Sequence, residues 1–161
     1  MKTARADLGV KEIPGPKNNP RIMELYRLAG FPGVKSEDVS WCAAFVGAHL
    51  VINKLKPSGS LLARSYERGW GTKCNEPIYG AVGTFWRGSP QSGMGHTGFI
   101  VGANAEEIFL LNGNYQDGVC YAAIPRSRFT GAWWPKEIPV PTKTPPLPTS
   151  LAGVKRGGTE A

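Results

Sequence analysis

Two neighbouring stretches decide the fold: Gly95-His96-Thr97-Gly98-Phe99-Ile100-Val101-Gly102 and Glu107-Ile108-Phe109-Leu110-Leu111-Asn112-Gly113-Asn114. Both are rich in β-branched and aromatic residues and bounded by Gly and Asn turn signals, so strands are read over about Thr97–Gly102 and Glu107–Leu111, the second closing into Asn112-Gly113-Asn114. The gap between them is far too short for a parallel crossover, which needs a dozen or more residues, so they form an antiparallel hairpin. With a loop over Asn104–Glu106, Ala103 faces Glu107 and, by the same register, His96 faces Asn114. A loop starting one residue earlier brings Asn112 opposite instead, and a loop of even length puts a glycine there. Opposite residues share a face with Cβ atoms about 5 Å apart. The hairpin therefore sets a histidine beside an asparagine at one end of a sheet. Gly98 lies on the same face as His96, and its missing side chain leaves room for a helix to come close.

Working outward, further strands are expected over Ala81–Trp86, Val119–Ile124 and Gly131–Trp134, giving an antiparallel sheet of about five strands. Before Gly71 the apolar spacing is helical. Pro20–Ala29 has Asn18 or Asn19 as its cap, Pro20 in the first turn and Gly30 at the exit. Ile22, Leu25, Tyr26 and Ala29 form its buried face. A second helix runs from about Ser40 to Asn53, with Trp41, Ala44, Phe45, Ala48 and Ile52 at helical intervals and Asp38 or Ser40 as cap. A shorter helical stretch follows Ser60. Helices first and a meander afterwards make an α+β domain. From Pro135 to Pro148 there are six prolines. The expected organisation is one domain over residues 1–135 and an extended, poorly ordered tail over 136–161.

Composition excludes several classes. Hydrophobic residues make up 41% of the 161, too many for an intrinsically disordered chain. No apolar run approaches the ~20 residues that a membrane span needs, so no stable membrane insertion is expected. The first eleven residues lack the apolar centre of a secretory signal. Cys42, Cys74 and Cys120 form an odd set without CxxC spacing, which argues against a disulfide framework or zinc knuckle. The net charge of +7 points to a polyanionic partner such as nucleic acid, an anionic membrane or an acidic wall polymer. The absence of a Lys/Arg-rich recognition helix argues against nucleic acid.

The second helix places Cys42 in its first turn. There the positive end of the helix dipole and the unpaired N–H groups stabilise a thiolate. The same N–H groups can receive an oxyanion. Cys42, His96 and an asparagine thus make the set a cysteine hydrolase needs: a thiolate nucleophile, a proton relay, and a polar group that orients the imidazole. His49 is expected to be a packing or surface histidine, and Cys74 and Cys120 to be inert thiols. Trp41, Arg64 and Trp86 are candidate groove residues.

Several segments resemble a subgroup of the CHAP/NlpC-type peptidoglycan hydrolases, which are papain-like cysteine hydrolases. They are Val39-Ser40-Trp41-Cys42-Ala43-Ala44-Phe45-Val46, Asn19-Pro20-Arg21-Ile22, Ser60-Leu61-Leu62-Ala63-Arg64-Ser65-Tyr66, the His96 segment, Leu111-Asn112-Gly113-Asn114-Tyr115-Gln116 and Trp134-Pro135. The likeness runs from about Lys11 to Pro135. It implies a papain-like fold with Cys42 as nucleophile, His96 as general base and acid, and Asn114 as the orienting residue, with Asn112 as the alternative. Asn112 stands where the pattern has Gly, and Tyr115 separates the Asn from the Gln. The resemblance further implies cleavage of an amide bond in the stem peptide, as amidase or endopeptidase, by a monomer with peptidoglycan as partner and no cofactor or metal. A phage endolysin, made in the host cytoplasm without a signal peptide and acting in the periplasm or wall after release, fits these features. The alternative is a non-catalytic wall-binding or virion structural module of the same fold.

Overall fold

The computed structural model describes residues 1–157. It is an α+β structure in which three helices accompany an open, fully antiparallel six-stranded sheet. In chain order the helices are α1 (Lys2–Arg5), α2 (Pro20–Leu28) and α3 (Cys42–Ile52). A 3₁₀ turn at Ala63–Glu67 follows. The strands are β1 (Gly71–Lys73), β2 (Val82–Trp86), β3 (Gly95–Ala103), β4 (Glu107–Asn112), β5 (Cys120–Pro125) and β6 (Phe129–Pro135). They lie in the order β1-β6-β2-β3-β4-β5. The sheet therefore has one strand more than the sequence predicts. Gly71–Lys73 carries no apolar alternation and is recruited as an edge by pairing with Pro135, Trp134 and Trp133.

Local chemistry explains the helices. Asn19 Oδ1 accepts from Arg21 N at 2.9 Å and Pro20 opens α2, while Gly30 exits at φ 96°. Between these helices the buried carboxylate of Glu37 accepts from the backbone N–H groups of Ile13 and Asn19, at 2.6 Å each. Helix α3 is apolar on all sides, and every residue from Cys42 to Leu50 is buried. Such a helix belongs at the centre of a fold, and α3 lies between α2 and β3. Its N-cap is Trp41, which makes no side-chain cap. The expected capping by Asp38 or Ser40 is absent because both hydroxyl and carboxylate have other partners.

The β3–β4 register is not uniform. Ala103 pairs with Ile108 and Gly102 with Phe109, but Ile100 pairs with Leu110 and Phe99 with Leu111. The residues between the paired Ala103 and Ile108 form an even loop, Asn104–Glu107, not the three-residue loop expected. Continued unbroken, that pairing would set His96 opposite Tyr115. A bulge at Val101 removes the offset, as an extra unpaired residue does, and the His96 end regains the register deduced from the sequence.

Both faces of the sheet are covered. Phe99, Val101, Phe109 and Leu111 join the core under the helices. Ile100, Ala103, Ile108, Leu110 and Ile124 form a second cluster, against which Val140 and Leu147 pack. The described part of the Pro-rich segment lies against the domain. Pro148 O accepts from Ala103 N at 2.9 Å, Lys155 bridges to Ala122 on the open edge of β5, and Arg156 pairs with Glu107 at 2.9 Å. A chain whose prolines cannot join the ladder still offers apolar rings and carbonyls, and here these cover the sheet. Residues 158–161 of the predicted tail lie outside the described residues.

Candidate active site

Cys42 stands at the first position of α3 and is 2% exposed. His96 is held on β3 by pairing with Phe85 of β2. The His96 side chain hydrogen-bonds the thiol. Its Nε2 lies 2.6 Å from Asn112 Oδ1, which leaves Nδ1 for the sulfur. The Asn112 amide is oriented by Cys120 O, which lies 3.0 Å from Nδ2. A carbonyl can only accept, so Nδ2 must face it and Oδ1 must face the imidazole. Oδ1 in turn requires a proton on Nε2. Nδ1 is thereby the nitrogen left to face Cys42.

Burial pushes the Cys42 thiol upward. The hydrogen bond and positive charge of His96, the Thr97 backbone N–H and the Ser40 hydroxyl outweigh it, so the net direction is down, toward the thiolate. Burial alone acts on Cys74 and outweighs the Lys155 charge at Cys120, so both thiols are pushed up. Tyr115 packs edge-on to His96, with ring centroids 5.7 Å apart.

The structure thus brings Cys42, His96 and Asn112 together and places the Asn114 amide on Ser40 instead. Asn114 would be the residue opposite His96, but β4 ends at Asn112 and the chain turns out of the sheet, with Asn114 at φ 59°. Its Nδ2 donates to Ser40 Oγ at 3.1 Å instead. Asn112 reaches the imidazole from the diagonal position, opposite Gly98. The role expected of Gly98 also moves. A Cβ there would lie 2.6 Å from Asn112 Cβ, whereas it is at Gly113 that a Cβ would strike the helix, 2.4 Å from the Trp41 ring and 2.8 Å from Phe45 Cβ.

Two of the three groove candidates have structural work. Trp41 is fully buried and donates from Nε1 to Glu12 at 2.7 Å, so it supports the turn that carries Cys42 from within and lines no groove. Arg64 is engaged by Glu67 at 3.0 Å and donates to Pro90 O at 2.9 Å, bracing the loop ahead of His96. Trp86 is half-buried, with its ring N–H on Ser127 O and Arg128 stacked 5.8 Å from its ring centre. His49 is buried, as the packing reading expects, but it is paired: Nε2 lies 3.0 Å from Asp7, which also holds Arg21. The sequence reading missed Ser40, Gly113 and Tyr115 as parts of the site. Ser40 and Gly113 have signals in hindsight: a hydroxyl two residues before the cysteine, and a glycine between two asparagines.

Among the described residues no group of three His, Cys, Asp or Glu side chains converges to hold a metal, and no helix is long and apolar enough to cross a membrane. Comparison with family models, curated proteins and solved structures finds no match to this chain.

Proposed function

We propose that the protein is a papain-like cysteine hydrolase that cleaves an amide bond of the peptidoglycan stem peptide, in the manner of a phage endolysin. The observation that carries the reading is the ordered line Cys42–His96–Asn112, with the thiol shifted toward its anion. In this mechanism the Cys42 thiolate attacks the carbonyl carbon, forming a carbon–sulfur bond. The negative charge moves to the carbonyl oxygen, where uncapped N–H groups of the first turn of α3 receive it. Protonated His96 then gives its Nδ1 proton to the leaving nitrogen as the carbon–nitrogen bond breaks. The thioester that remains is attacked by water, one of whose protons returns to His96, releasing a carboxylic acid that ionises in solvent and regenerating the thiolate. Asn112 keeps the ring in one tautomer and one orientation throughout. The resemblance of the Cys42 and His96 segments to CHAP/NlpC-type enzymes supplies the substrate class, and the net charge of +7 suits an anionic wall.

The test is hydrolysis of purified peptidoglycan under reducing conditions by the wild type and by Cys42→Ala. Clearing by the wild type alone is the expected result. Equal clearing by both, or by neither, sinks the proposal, and the latter would favour a wall-binding module. Mass analysis of the fragments identifies the bond. A new N-terminal alanine beside free muramic acid marks an amidase, and a cut within the stem peptide marks an endopeptidase.

A further inference from the structure

A cavity lies at the far end of α3, about 10 Å along the helix axis from Cys42. Its volume is about 240 Å³, and Leu50, Leu55, Val82 and Phe99 supply much of its wall. A cavity of about 150 Å³ with such a lining takes a benzene ring, so this one has room for a ring and a substituent.

Two polar side chains on the wall are engaged. Asn53 Nδ2 donates to Thr3 Oγ1 at 3.0 Å and to His49 O at 2.7 Å, and the Tyr79 hydroxyl accepts from Arg5. Two others are not. His49 and Trp134 also belong to the wall, and His49 Nδ1 and Trp134 Nε1 are buried without a hydrogen-bond partner among the described residues.

The His49 ring is 2% exposed, and its protonation is fixed from the other side. Nε2 lies 3.0 Å from Asp7 Oδ2, and the Asp7 carboxylate is forked onto Arg21 at 2.8 and 2.9 Å. A carboxylate held in this way only accepts, so Nε2 carries the proton of the neutral ring and Nδ1 keeps a lone pair. The two unpartnered nitrogens therefore call for opposite things, a donor at His49 and an acceptor at Trp134. A hydroxyl is the smallest group that is both. Ordered water needs two to four polar partners, which a largely aliphatic and aromatic wall supplies poorly. An organic hydroxyl brings an apolar body that suits the same wall.

We propose that this cavity binds a small ring compound bearing a hydroxyl, a phenol or cyclic alcohol, whose body packs among Leu50, Leu55, Val82 and Phe99 and whose hydroxyl donates to His49 Nδ1. The site is separate from Cys42 and His96, and it stands or falls independently of the hydrolase reading.

The experiment is calorimetric titration of the full chain with phenol and with toluene, a ring of similar size that cannot donate. Wild type, His49→Phe and Leu55→Trp are compared. Phenol should bind the wild type, and Leu55→Trp, which fills the cavity, should abolish binding of both compounds. His49→Phe should weaken phenol about threefold to tenfold, the worth of one hydrogen bond, and leave toluene unchanged. Should His49→Phe fail to fold, nitrogen NMR of the wild-type imidazole takes its place: phenol should move the His49 Nδ1 resonance much further than toluene does. Absence of phenol binding, equal losses of phenol and toluene in His49→Phe, or an Nδ1 resonance that phenol leaves in place overturns the site. Binding undiminished in Leu55→Trp puts the ligand elsewhere and overturns it too.

Discussion

Asn112 carries two hydrogen bonds that together decide which nitrogen of His96 holds a proton. Removing it frees the ring to take the other tautomer and to rotate. Asn112→Ala should lower kcat by about a hundredfold with little change in KM, the pattern of an interaction that matters in the transition state. The other histidine makes a prediction about stability. Burial, opposed by Asp7 and reinforced by Arg21, lowers His49 from its ordinary value to about 4. The folded state thus holds His49 neutral where the unfolded chain, near 6.5, would bind a proton. The sign follows: unfolding takes up a proton, so stability falls as pH drops through 6.5 and levels off below 4, by up to about 3 kcal/mol. Denaturant unfolding between pH 7 and 4 should show this loss, and His49→Gln should flatten it. At this scale Cys42 and His96 were legible in the sequence because helix starts and strand starts are marked by local signals. The choice between Asn112 and Asn114 was not legible. Register arithmetic names the residue directly opposite, whereas the bond runs diagonally and the chain leaves the ladder two residues early.

Helix α3 and the chain just beyond β4 meet at Gly113, against Trp41 and Phe45. Its backbone is not left-handed, so alanine is tolerated conformationally, but the added methyl would lie 2.4 Å from the Trp41 ring. Gly113→Ala should therefore lift the first turn of α3 from the sheet, at about 1–3 kcal/mol. Activity should fall about a hundredfold or more, as displacements near 1 Å do at reacting groups. Thermal unfolding beside peptidoglycan turnover separates the two effects. An activity that falls only in proportion to folded protein would show that this contact does not set the geometry. The element order of α2, α3 and β2–β6 could be read from periodicity and turn residues. Strand β1 could not, because Gly71–Lys73 has no apolar pattern and exists only by virtue of its partner β6. Helix α1 escaped for a related reason: its Lys2–Arg5 turn is short and polar, and Ala4 is its one buried residue.

For the molecule as a whole, the packing of the Pro-rich segment is what the sequence leaves least legible. Six prolines within fourteen residues read as an extended tail, and in the structure Val140 and Leu147 cover the apolar face formed by Ile108, Leu110 and their neighbours. Pairing of Lys155 with the β5 edge also shields backbone groups that would otherwise invite another strand. A chain ending at Pro135 should lose roughly 3 kcal/mol of burial, lower the Tm by about 5–10 °C and bind ANS where the full chain does not. An unchanged Tm would mean that the segment is dispensable to the fold.

Between the tip of the β3–β4 hairpin and its His96 end, the count of residues changes parity once, at Val101. The tip keeps an even loop while the far end keeps the phase that His96 and Asn112 need. A tip shorter by one residue should therefore dissolve the bulge and leave His96 and Asn112 in their present register.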